Sequence, residues 1–191
     1  MTKERYQVES MLDTPFYSQR LTQANHQQEG FDSMEEAESW TKRICGLACL
    51  KMVIARITGE VVPLKALLEQ GLAVDGYMKG VGWIHQGLLD VASEYGISGL
   101  CQSVGTELGI IDDELEKNRL VIASVSCGFN PEKKGGHLVL IIGIHDDGYI
   151  IHHPSSEEGE QWSHYRIDRA RFLQSFSVNG NIITISVPEE V

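Results

Sequence analysis

Basic side chains are scarce in this chain. Its 191 residues hold 16 Lys and Arg against 27 Asp and Glu, a formal net charge of −11. A surface of that sign repels phosphate backbones, so no nucleic-acid or anionic-membrane partner is expected, whereas a basic peptide is attracted. Long apolar runs are missing as well. No segment approaches the roughly 18 apolar residues of a membrane span, and MTKERYQVESMLDTPF lacks the apolar core of a secretory signal. No membrane insertion is expected, and the chain as given reads as cytoplasmic. Cysteine is limited to Cys45, Cys49, Cys101 and Cys127, which in that compartment are expected as free thiols. Cys45 and Cys49 would make half of a zinc site, but no second ligand pair has matching spacing. Gly76, Gly80 and Gly82 do not follow a strand at the spacing of a nucleotide loop. No metal and no cofactor is therefore expected. Oligomeric state leaves no readable signature.

What is present is the composition of an ordinary soluble globule, 42% hydrophobic and 23% charged. The length suits one domain over residues 1–191, with residues 1–40 as a polar N-terminal arm and loop. An extended arm is predicted over 13–19 and a helical turn near Ser33. Helices follow at 45–57, ended by Gly59, at 63–70, closed by Gly71, and at 83–95 before Gly96. AVDGYMKGVG between the last two reads as a loop near the cleft. The period then changes. Short apolar runs at 120–126, 137–144, 149–152 and 181–187 read as strands, and Asp147-Gly148 marks a hairpin between the middle two. Helices first and an antiparallel sheet afterwards indicate an α+β fold.

Chemistry concentrates at two points. Cys45 begins CGLACLKMV at the predicted start of the first helix, where unpaired backbone N–H groups and the helix dipole favour a thiolate. Gly46 beside it is expected to let a substrate backbone approach. His137 opens a strand in GGHLVLIIGI, and the next strand returns to His153-Pro154 at the same end of the sheet. Cys49 reads as core, His145 as exposed, and His152 as structural or solvated on the face opposite His153. His26, His85 and His164 have no evident partners in the sequence. Trp40, Trp83 and Trp162 fit core and rim equally well.

With these motifs the chain resembles the papain-like cysteine peptidases of the bacteriocin-leader-processing, or double-glycine, family from about Cys45 to Pro154. The resemblance implies an N-terminal helical lobe packed against a C-terminal antiparallel sheet. It also implies cleavage of a peptide or protein tail through a thioester, with Cys45 as nucleophile and His137 as general base and then acid. Two positions depart from the pattern. The third member is usually Asp or Asn before proline, and here it is His153. Three readings stand open: His153 orients His137, it is a bystander, or the domain binds peptides without cutting them. The oxyanion glutamine is not found close before Cys45, where Ser39 stands; Gln19 in TPFYSQ fits the pattern of members with a longer intervening loop, and a surface amide is the alternative. An amine in place of water would make the same thioester chemistry an acyl or peptidyl transfer.

Overall fold

The computed structural model describes residues 9–133 and 136–188; residues 1–8 of the predicted arm and Gly135 of the GGH motif lie outside them. In chain order the elements are β1 (Ser10–Met11), α1 (Met34–Thr41), α2 (Cys45–Thr58), α3 (Leu64–Ala73), β2 (Tyr77–Met78), β3 (Gly82–Trp83), α4 (His85–Ser93), β4 (Gly99–Ser103), α5 (Leu108–Glu116), β5 (Leu120–Ser126), β6 (Gly136–His145), β7 (Gly148–Pro154), β8 (Gln161–Asp168), α6 (Arg169–Ser175) and β9 (Asn181–Ile185). The main sheet runs β4-β9-β5-β6-β7-β8, with β1 added beside β6, and every pairing is antiparallel.

The near-continuous apolar runs have a physical cause in two buried sheet faces. Ile122, Leu138, Leu140 and Ile183 pack under α2, α3 and α4, while the alternating Val121, Ala123, Val139 and Ile141 pack on the other side against residues of α5 and α6. The fold is α+β, with the helical lobe against the antiparallel sheet as expected, plus a second helical cover. That cover is pinned by polar contacts: Tyr149 donates to Asp112 at 2.8 Å, and Arg169 pairs with Asp112 at 3.0 Å.

α2 is the spine of the helical lobe, buried from Gly46 through Ile54 and ended by Gly59 in the left-handed conformation, φ 76°. Lys51 within it is 3% exposed, and Glu29 receives its ammonium at 2.6 Å. α1 begins where Ser33 accepts from the Glu36 N–H, a side-chain N-cap.

Several boundaries differ from the sequence reading. Gly71 does not close a helix; it lies inside α3, where a β-carbon would come 2.5 Å from Trp83 Cζ3. Trp83 belongs to the β2–β3 hairpin, so α4 starts at His85, and the predicted glycine loop is this hairpin. β4, α5, β8 and α6 were not predicted. β4 and β8 are edge strands with mixed polar sequences, GLCQS and QWSHYRID, whose half-exposed faces erase the apolar signal. No helix among the described residues is long and apolar enough to cross a membrane.

Candidate active site

Cys45 is the first residue of α2, preceded by Ile44, which offers no side-chain cap. The first N–H groups of the helix therefore keep no intrahelical or capping partner. The nearby backbone N–H groups of Leu138, Gly46 and Cys45 itself favour the thiolate form of Cys45. Strand β6 thus adds a third direction to the helix terminus. The predicted lowering of the thiol pKa is nevertheless overturned: burial outweighs these donors and pushes the half-buried Cys45 thiol up to about 11. The thiol is neutral at rest. Gly46 also plays another part than expected. A β-carbon there would lie 2.9 Å from both Leu138 and Leu88, so the glycine lets α2 seat against β6 and α4.

Cys45 and His137 line one cavity of about 300 Å³ together with Lys42, Arg43, Trp83 and Ser124. His137 lies near the start of β6, opposite Val125 of β5. Burial, followed by the neighbouring His153, pulls its pKa down to about 3, so its imidazole is neutral too.

His153 is fully buried behind His137, the ring centroids 4.7 Å apart at 77°. Its Nδ1 faces the Glu160 carbonyl at 2.5 Å. A carbonyl only accepts, so Nδ1 carries the proton and Nε2 presents a lone pair. Trp162 packs on the ring at 4.7 Å and Phe129 meets it at 5.4 Å. The Nε2 atoms of both histidines are buried without a hydrogen-bond partner.

Gln19 is buried, not a surface amide. Its backbone N–H donates to the Pro154 carbonyl at 3.0 Å, and its Nε2 donates to the Thr41 carbonyl at 2.8 Å, which ties the arm to both β7 and the approach to α2. It is not among the cavity-lining residues. Its Oε1 is buried without a partner.

The remaining candidates resolve structurally. His152 is fully buried, its Nε2 bonded to the Thr14 carbonyl at 2.8 Å and its Nδ1 accepting from the His164 N–H at 3.1 Å; it is not solvated. His145 is partly buried rather than exposed. Cys49 is core, its thiol toward the Leu138 carbonyl at 3.6 Å. Among the described residues no three His, Cys, Asp or Glu side chains gather as a metal site. Sequence reasoning missed Lys42, Arg43 and Ser124 on the cavity wall. Arg43 sits two residues before Cys45, a proximity that was available as a signal; Ser124, inside LVIASVS, had none.

The family model that matches is the Peptidase_C39 like family, over residues 11–183. Among solved structures the fold is similar to a candidate C39-like peptidase from Bacillus anthracis, at TM-score 0.64 and 15% identity, covering 96% of this chain and 100% of that one. It is also similar to the peptidase domain of Streptococcus ComA, a bi-functional ABC transporter involved in quorum sensing, at TM-score 0.55 and 20% identity over 76% and 93% of the two chains. A double glycine motif protease from an AMS/PCAT transporter, in complex with its leader peptide, gives TM-score 0.55 and 18% identity over 94% and 99%. No curated protein matches the sequence.

Proposed function

The chain belongs to the Peptidase_C39 like family, and from that premise we propose that it is a cysteine peptidase acting on a peptide or protein tail, with residues 1–191 forming its one domain. The observation that carries this reading is that Cys45, at the head of α2, and His137, near the start of β6, line one cavity. Cys45 and His137 are both neutral at rest, so the reaction begins by general-base transfer rather than from a preformed ion pair. As the sulfur adds to the substrate carbonyl, its proton passes to His137. The same proton then goes to the leaving amine, the C–N bond breaks, and a thioester remains that water hydrolyses. The Cys45 N–H supplies one oxyanion donor; Gln19 lies outside the cavity lining, but its amide has a second N–H beyond the one that Thr41 takes, and that N–H is the candidate for the other donor.

His153 substitutes for the usual Asp or Asn as orienter. His137 takes the Cys45 proton on Nδ1 and so keeps its other proton on Nε2 before and after the transfer; the lone pair offered to that N–H is the buried His153 Nε2, whose tautomer the Glu160 carbonyl holds. A neutral acceptor stabilises imidazolium less than a carboxylate does.

The test is turnover of a peptide panel, including substrates with a Gly-Gly site like that of the leader-bound relative, by the wild type and Cys45→Ala. Wild-type cleavage that vanishes in Cys45→Ala, with the thermal midpoint nearly unchanged, is the expected result. Cleavage retained in the variant overturns the reading. Binding without cleavage by the wild type points instead to a peptide-binding domain, an outcome that the neutral pair and His153 make worth measuring.

A further inference from the structure

Among the described residues, the cleft wall carries no carboxylate. Beside the cavity at Cys45, a second, more open one of about 490 Å³ shares Trp83, His85 and Ser124 with it and runs on to Gln102, Ser103 and Asn181. Among the described residues neither lining includes an Asp or Glu, although the chain is rich in both. Many of the cations are paired elsewhere: Arg20, Lys51, Lys65, Arg119, Arg166 and Arg169 have carboxylate partners. Lys42 and Arg43, both on the wall of the first cavity, have no carboxylate partner among the described residues, and neither have Lys79 and Arg171.

Arg43 is also held in place. Its Nε donates to the Ser39 carbonyl at 2.9 Å and Nη2 donates to the same oxygen. Its guanidinium lies 4.1 Å from the Trp40 ring centroid and 5.7 Å from that of Tyr77, and Nη1 makes only a long contact of 3.4 Å with the Tyr77 hydroxyl. Two donor positions are spent on a carbonyl and the edge with Nη1 is left. A preorganised guanidinium loses little freedom on binding an oxyanion. His85 does not compete: burial lowers its pKa, and its Nε2 is bonded to Ser124 at 3.0 Å.

We propose that Lys42 and Arg43 form a carboxylate-reading subsite, so that the preferred peptide carries an acidic side chain, or its own C-terminal carboxylate, close to the bond facing Cys45. The local field thus reverses the preference for basic peptides that the net charge implies. The proposal rests on the peptidase reading only for the position of the scissile bond.

Its test is binding, not turnover. Fluorescent peptides with Glu, Gln or Lys at successive positions, and with a C-terminal acid or amide, are titrated against Cys45→Ala at low salt. A Glu or terminal-acid peptide is expected to bind about fivefold more tightly than its Gln or amide counterpart, the upper range for an exposed ion pair. Positional Glu dependence marks a side-chain carboxylate, and acid-over-amide dependence marks the chain terminus. The gap should close in about 1 M salt, and adding Arg43→Glu should turn the preference to Lys. Arg43→Gln, which weakens the preference without reversal because Lys42 remains, serves if the charge-reversed protein does not fold. Equal affinities, a preference untouched by either variant, or no binding by any peptide overturns the subsite. Cleavage by the wild type without charge preference leaves the peptidase reading intact; charge preference without cleavage leaves the subsite intact and removes the peptidase.

Discussion

His137 and His153 meet edge to face with ring centroids 4.7 Å apart, and each leaves its Nε2 buried and unpartnered. One of those atoms is assigned as a lone pair by the Glu160 carbonyl at the far side of His153. A donor at His137 Nε2 is the partner that completes the arrangement, and neutral His137 already has that donor when its Nδ1 is free to accept the Cys45 proton.

His153→Asn is therefore expected to keep activity, since the amide oxygen accepts the same N–H. His153→Ala is expected to lose about tenfold or more as His137 loses its orientation. Burial lowers the pKa of His153, so wild-type kcat/KM should fall in acid with a midpoint below the ordinary 6.5, and the Asn variant should lack that limb. Superimposable pH profiles of kcat/KM for the wild type and both variants make His153 a bystander.

Gln19→Ala should lower the acylation rate by about 10²–10³ while alkylation of Cys45 by a small electrophile, which forms no oxyanion, stays the same. The lost hydrogen bond to the Thr41 carbonyl costs about 1–3 kcal/mol, so the thermal midpoint falls as well. Unchanged acylation beside a lowered midpoint would leave Gln19 as a tie between the arm and α2.

Stability should decline in acid. Burial holds His137 at about 3 and His152 at about 4, each below the ordinary 6.5 of the unfolded chain. Below 6.5 the unfolded state binds the extra protons. The stability from these neutral rings is thus complete above 6.5 and is lost as pH falls toward 3 to 4, at about 1.4 kcal/mol per group per pH unit. Urea midpoints across pH 7.5 to 4.5 measure this. His152→Gln, which keeps an uncharged donor for Thr14, should flatten the slope; equal slopes would assign the loss to other groups.

Cys45, His137 and the approach of His153 toward His137 were legible in the sequence because each depends on local order: a residue at the head of a helix, another near the head of a strand, and a hairpin return of fixed period. The α+β class followed from the change of apolar period for the same reason. The direction of the Cys45 and His137 pKa shifts was not legible, because desolvation depends on what the rest of the chain packs around those atoms. Nor was the role of Gly46 or Gly71, which is decided by Leu88, Leu138 and Trp83 arriving from other elements. The tautomer of His153 waits on the backbone of Glu160, and the cavity wall around Lys42 and Arg43 joins residues of four separate stretches. A sequence states which groups exist and at what period they recur; only the closed tertiary structure decides which of them lose water, and that loss sets their charge and their partners.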